Sequence, residues 1–381
     1  MKTIGCANNE PGGNLNFITQ KTHKTGRREF LRNSILSVGA LSTVPVFDPF
    51  GGLFRESNPV VSIVRIVDDH VDLAVEKAID LLGGINSITK GMHKIMLKPN
   101  LVADDPNSTT KPVVIKTLAK LMQSAGKEVM IGEGSAAAGG INADNDGVYF
   151  TRKPELLDKL QQQVFDKLGY TDIAKELNIP LINLHTGDMV EVDVPNAHIF
   201  KKLTIHKSLS EIDLLCSVPM MKTHALATVT LGMKNLIGLY PGSAYCSVRS
   251  CVHEMAENAG SQGVAFEILD MVKANKLGLT VIDGSMAMEG NGPSNGPLVK
   301  MDIIIAGTNS LATDMVGAAV MGFQPDEVPT FELAHKSGMK PFSLDEIEIR
   351  GEKIETVMRK FVRPNVVPFH DIKSWFGAKE V

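Results

Sequence analysis

HKIMLKPNLVADDPNSTTKPVVIKTLAKLMQSAGKEVMIGEGS, residues 93–135, contains one complete repeat of a parallel sheet. His93–Leu97 reads as a strand, Pro112 opens a helix over PVVIKTLAKLMQSAG, and Lys127–Ile131 reads as the next strand. Strands joined through a helix of this length run parallel, since tight hairpins are what antiparallel neighbours need. Both strands then empty into loops, KPN at 98–100 and GEGSAAAGG at 132–140, which in a parallel sheet lie on one rim and face a common crevice. On that rim Lys98 offers a point charge, Asn100 a donor and an acceptor, and Gly132 and Gly134 a backbone that an anion can approach. GEGS does not continue into G-x-G-x-x-G, so a standard nicotinamide site is rejected.

The same pattern extends in both directions. Val60–Val67 is a β-branched strand, followed by a helix over Val71–Leu82 that Gly83-Gly84 stops. Strands at 60–67, 93–97, 127–131, 213–218, 277–282 and 302–306, separated by helical or long segments, predict an α/β fold with a mainly parallel sheet flanked by helices. Residues 56–381 form that domain, with two lobes, 56–205 and 206–381, expected to meet at a cleft. Pro180–Ile205 alternates as a hairpin beside the main sheet, and MAMEGNGPSNGP at 286–297 is long enough to act as a lid.

Val218–Glu254, VPMMKTHALATVTLGMKNLIGLYPGSAYCSVRSCVHE, concentrates ammonium, imidazole and amide groups among turn-forming glycines. Lys222 and His224 emerge just past a strand's carboxyl end, and Lys234, Asn235 and His253 follow. Imidazole suits both proton transfer near neutrality and metal ligation. Asp283 sits at the end of a further strand, as a second carboxyl-end group.

Composition narrows the function. A net charge of −4 over 381 residues, with 5% aromatics not interleaved with Lys or Arg, argues against nucleic acid as a partner. Residues 1–55 read as an export leader and linker: KTHKTGRREFLR at 21–32 precedes an apolar run, Ser34–Phe47, too short for a membrane span. Arg27-Arg28 with Phe30-Leu31-Arg32 resembles the twin-arginine signal. That resemblance implies the twin-arginine export machinery as a partner, a periplasmic or other extracytoplasmic location, and membrane contact only through the leader, which anchors the protein if it stays uncleaved. Cys216, Cys246 and Cys251 remain outside the leader. Cys246 and Cys251 could close a small disulfide in an oxidising compartment, or all three could stay thiols, and no spacing fits an iron–sulfur cluster.

KPNLV at 98–102, KTHALATVTLGMKNLIG at 222–238, His253, DG at 283–284 and ATDMVGAA at 312–319 together look like the DUF362 family, over roughly 94–322. Members often carry a ferredoxin-type iron–sulfur module, and this sequence lacks the cysteines for one. A more distant resemblance is to the nickel-pincer lactate racemase family, in which a His, a Lys ten positions on, a Pro-Gly and another His surround the cofactor. Here His224, Lys234, Pro241-Gly242 and His253 fall in that order. The resemblance implies acid–base chemistry for His224, cofactor attachment for Lys234 and nickel ligation for His253. A second acid–base His is missing where this chain has GEGSAAAGG.

The resulting expectation is an exported cofactor- or metal-dependent enzyme acting on a small anionic substrate, racemase-, epimerase- or redox-like. His224 and Lys222 are its catalytic candidates, Lys234, Asn235, Lys98, Asn100, Gly132, Gly134 and Asp283 its cofactor-binding set, and His253 its metal ligand, a nickel-type pincer or other transition metal by analogy. The alternative is a non-catalytic anion- or metal-binding or maturation protein. Under either reading His224, Lys234 and His253 should converge on one cleft, with Lys98 and Asn100 on the opposite wall.

Overall fold

The computed structural model describes residues 58–141, 151–258 and 264–366. The leader reading lies outside these residues. All six expected strands form: β1 (Val60–Arg65), β2 (Lys94–Pro99), β3 (Glu128–Glu133), β7 (Leu214–Val218), β10 (Leu277–Met288) and β12 (Ile303–Gly307). With β4 (Leu181–Asn183) and β13 (Glu348–Gly351) they build a sheet of order β13-β1-β12-β10-β7-β2-β3-β4. Every neighbouring pair is parallel except the two that β12 makes, with β1 and with β10. Short β8 (Met220–His224) and β11 (Leu298–Val299) pair with β10, and β9 (Thr228–Thr230) pairs with β8. The expected hairpin is a separate antiparallel pair, β5 (Met189–Asp193) with β6 (Lys202–His206).

The period-two alternation of strand side chains sorts the core into two clusters. Met96, Met130, Leu215, Ile282, Ile303 and Ile305 enter one; Ile95, Leu97, Val129, Ile131, Cys216, Val281 and Ile304 enter the other. Helices cover both: Pro112–Ser124 buries Val114, Ile115, Leu118 and Met122 on one cluster, and Ser310–Val320 buries Leu311, Met315 and Val316 on the other. Each such fully buried side chain stabilises the fold by roughly 1.5–3 kcal/mol relative to exposure. Pro112 occupies the first helical turn, where its missing N–H costs no bond. Gly83 and Gly84, with φ of 101° and 82°, end the first helix in a conformation that side chains with a Cβ resist.

Strands from both sides of position 205 alternate in this sheet, β7 pairing with β2 and β12 with β1, so the sheet is not divided at the expected lobe boundary. Residues 57–381 make one compact unit. Among the described residues, no helix is long and apolar enough to cross a membrane.

Parallel β2, β3, β7 and β10 deliver their carboxyl ends to one rim. There Lys98 and Glu133, on adjacent strands and 1% and 2% exposed, form an ion pair at 2.8 Å. Glu133 also accepts from the backbone amides of Leu101 (3.0 Å) and Gly134 (2.8 Å), so its lone pairs are filled. Removing one partner of such a pair strands the other charge in a dry interior. Glu133→Gln should therefore lower the unfolding free energy by about 3–5 kcal/mol. Lys98→Met combined with Glu133→Leu should recover most of that loss. Denaturant melts read both, and a single-variant cost within the noise would show that the pair does not hold the rim.

Candidate functional site

The chain passes from β7 through Pro219 into β8, which pairs with β10 and whose alternation sends Lys222 and His224 to one side and Thr223 to the other. Lys222 is fully buried and its ammonium donates to the carbonyls of Ser108 (2.7 Å) and Pro293 (3.0 Å). Thr223 donates its hydroxyl to Gly290 O at 2.6 Å, and the Ala225 amide donates to Gly292 O at 3.1 Å. The loop expected to be a lid is thus laced to β8, and at Gly292 a Cβ would come within 2.2 Å of Thr223 O. Burial lowers the Lys222 pKa to about 7, with the Lys234 charge adding to the effect.

Helix Gly232–Asn235 places Lys234 and Asn235 beside β8. Its first amides, Gly232 and Met233, donate to the carboxylate of Asp314 at 2.7 and 2.8 Å. Asp314 therefore clamps this turn, beyond the dipole role its position at a helix start suggests, and burial pushes its carboxyl up to about 7 against those two amides. Lys234 is half-buried and its pKa falls to about 8, chiefly through burial; nearby Glu267 opposes the shift, and Arg249 and Lys98 reinforce it. Asn235 makes four bonds: its amide donates to Lys98 O (3.1 Å) and Ser217 Oγ (3.0 Å), and its carbonyl accepts from Lys98 Nζ (3.1 Å) and Asn100 Nδ2 (3.2 Å).

The two imidazoles are held in opposite tautomers. His224 is 6% exposed, and its Nδ1 accepts from the Leu226 amide at 3.0 Å, so in the neutral ring the proton sits on Nε2. Burial, then the charges of Lys234, Lys222 and His253, hold its pKa well below the ordinary value. His253, on helix Ser250–Asn258, lies 2.6 Å through Nδ1 from Glu267 Oε1 on helix Ala265–Ala274. A carboxylate takes the Nδ1 proton as a hydrogen bond, which leaves the Nε2 lone pair as the basic one.

Sequence reasoning missed three members of this cluster: Glu133, Glu267 and Arg249. Arg249 is 3% exposed, and its guanidinium donates to the carbonyls of Ser247 (2.9 Å), Gly238 (3.0 Å) and Gly134. Its Nε, Glu267 Oε2 and Asn100 Oδ1 are buried without a protein partner. Arg249 lies in C-S-V-R-S-C, where only the flanking cysteines give a hint, and Glu267 lies in an amphipathic helix that gives none. His185, also missed, is neutral and structural: its Nε2 bonds Ser135 O at 2.7 Å, its Nδ1 accepts from Gly242 N at 2.9 Å, and burial lowers its pKa to about 3.

The charges of Lys234, Lys222 and His253 all act on His224, so these four groups lie within electrostatic reach of one another, while several supporting residues are used differently. Lys98 does not face a ligand, because Glu133, Pro99 O and Asn235 take up its ammonium. Lys98 and Asn100 back onto Asn235 instead of forming an opposite wall. Gly134 offers no free amide, since Glu133 holds it, and Gly132 is small because a Cβ would meet Met96 Sδ at 2.6 Å. Asp283 serves the fold: it accepts from the amides of Lys111 (2.8 Å) and Ser285 (3.0 Å) and from the Ser285 hydroxyl (2.6 Å). A surface groove of about 740 Å³ lined by Asp158, Gln161, Lys175 and Asn183 lies apart from the cluster.

A metal fits only in part. The Glu267–His253 pair orients an imidazole as a metal ligand would be oriented. Among the described residues, however, no three His, Cys, Asp or Glu side chains gather to hold an ion, so the side chains alone do not complete a metal site.

The family model described as "Domain of unknown function (DUF362)" matches residues 95–319. The thylakoid-associated protein sll1697 of Synechocystis sp. is 27% identical over 266 residues, 68% of this chain and 73% of that protein. Among solved structures, the lactate racemase apoprotein of Thermoanaerobacterium thermosaccharolyticum aligns with a TM-score of 0.41 and 16% identity, over 70% of this chain and 57% of that one. A Thermotoga maritima protein aligns with a TM-score of 0.37 and 13% identity, over 71% and 60%. This chain thus spans less than two thirds of either solved structure. The family match takes in the β2 rim, the lysine–histidine stretch, His253, Glu267 and Asp314, and the chain belongs to the DUF362 family.

Proposed function

We propose that this protein is an enzyme that moves a proton on a small anionic substrate, with His253 as base, His224 as hydrogen-bond donor and Lys234 as the group that holds the anion. The observation that carries this reading is the pair of imidazoles in opposite tautomers within one cationic cluster. Two imidazoles of which one presents an N–H and the other a lone pair are the usual arrangement of a hydrogen-bond donor and a base. The His253 Nε2 lone pair accepts the substrate proton, and Glu267 stabilises the imidazolium that results. The Nε2–H of His224 faces the oxygen on which charge develops, and its low pKa keeps it a donor that stays neutral. Lys222 and Arg249, each donating to backbone carbonyls, add positive potential from behind.

Export under the Arg27-Arg28 leader is part of the same proposal. Changing both to Lys should leave precursor in the cytoplasm, and unimpaired export of that variant would remove it.

Anion binding must be linked to protons. Free Lys222 and Lys234 titrate at about 7 and about 8, and a bound anion favours their charged forms and raises both values. Binding therefore takes up protons from those free values up to the raised bound values and weakens as pH climbs through that range. Calorimetry of a panel of small carboxylates in buffers of different ionisation enthalpy measures the uptake. Affinity that does not change from neutral to alkaline pH would contradict the assignment of Lys234.

Catalysis has its own test, the wash-in of solvent deuterium to carboxylates that bind. His253→Gln should slow exchange by about 10²–10⁴-fold while affinity is kept, and Lys234→Met should lose affinity. If wild-type protein binds carboxylates and exchanges nothing, the binding or maturation reading replaces the enzyme. The oriented His253 also favours a second reading as a metal ligand. Elemental analysis of protein from its native compartment would reveal that role as a stoichiometric transition metal that disappears in His253→Gln.

A further inference from the structure

Cys246 and Cys251 are bonded, closing a small ring with a sequence separation of 5. The ring contains Arg249, and the helix that bears His253 starts at its end. Within it the Arg249 amide donates to Cys246 O at 3.0 Å, and Arg249 O accepts from the His253 amide at 3.0 Å, so one backbone path runs from the disulfide to the imidazole. Cys246 and Arg249 have φ of 66° and 61°, a region that residues with a Cβ occupy at a cost and keep only when their surroundings enforce it. The ring is one such enforcement. From it the Arg249 guanidinium reaches Gly134 O at the end of β3 and Gly238 O above the Lys98–Glu133 pair.

The two cysteines differ in access. Cys246 is buried at 1% exposure while Cys251 is half-buried, so an incoming thiolate meets Cys251 first. The exposed Arg152 points Nε at Cys246 Sγ from 3.4 Å, and a guanidinium there favours the thiolate that must leave.

We propose that Cys246–Cys251 is a thiol–disulfide exchange site whose redox state sets the geometry of the lysine–histidine cluster, the oxidised form being the ordered one. The reductant is a dithiol, small or protein-borne. Its thiolate attacks Cys251 Sγ, the S–S bond breaks with its electron pair on Cys246, and the donor's second thiol resolves the mixed disulfide. The donor leaves as a disulfide and the protein gains two thiols, with two electrons and two protons transferred. Opening the ring lets Cys246 and Arg249 leave the left-handed region, withdraws Arg249 from Gly134 and Gly238, and loosens the first turn of the His253 helix.

Reduction of native protein with dithiothreitol, followed by alkylation and mass spectrometry, should label Cys246 and Cys251 and spare buried Cys216. Amide exchange across 246–258 should rise by at least about fivefold while β7 and β12 keep their protection, and reoxidation should reverse it. Cys251→Ser and Arg249→Met should each show the same local loosening in otherwise folded protein. Carboxylate affinity, the only readout that rests on the proposed function, should fall by a similar factor. A bond that resists dithiothreitol without denaturant would overturn the proposal, and so would exchange rates across 246–258 that ignore its reduction. Loosened exchange in a protein that binds no carboxylate would leave the switch standing and remove the anion reading instead.

Discussion

A lysine that leaves water must find a counter-charge or give up its proton, and Lys98 meets this constraint with Glu133 at 2.8 Å. The ends of β2 and β3, the turn at Leu101, the amide of Gly134 and Asn235 are all bonded to this pair. The segment Leu236–Leu239 lies directly on it: a Cβ at Gly238 would come within 2.5 Å of Glu133 Oε1 and 2.7 Å of Lys98 Nζ. The pair is thus a floor, and the groups with freedom to act stand above it.

Burial also divides the remaining lysines by role. Lys222 is sealed and spends its hydrogens on two loops, so its charge is felt without being touched. Lys234, one residue before the fully bonded Asn235, keeps access to solvent and has no hydrogen bond of that kind. Within thirteen residues of sequence one lysine is a fastener and the other a half-buried ammonium, the difference being which loops close over them.

The strands were legible because each is a short apolar run bounded by turn residues, and β-branched content at Val60–Val67 and Ile303–Ile305 leaves little choice of conformation. The stretch from Lys222 to His253 was legible because its charged groups are packed among glycines. Its partners were not, since Glu133, Glu267 and Arg249 act across distances in sequence that no local pattern encodes: Arg249 meets Gly134 from 115 positions away. Carboxyl-end groups such as Lys98 and Asp283 were misread for a related reason. A strand end locates a side chain on the rim, but whether it faces a ligand depends on how many backbone amides and counter-charges reach it first. The glycines of GEGS suggested exposed amides, whereas Gly132 is small to accommodate Met96.

The place of β1 has a consequence for how the chain can be assembled. Val61 pairs with Gly307 on one side and Ile349 on the other, partners separated from it by most of the described sequence. Ribosomal synthesis exposes β2, β3 and β7 well before those residues, so the rim and its ion pair have their local partners early while β1 waits. Contacts of such long range are slow to form because the intervening loop must be closed first. The first strand of the domain is therefore seated late, against β12 only once residues 303–307 have been made, and β13 closes over its other side only after that.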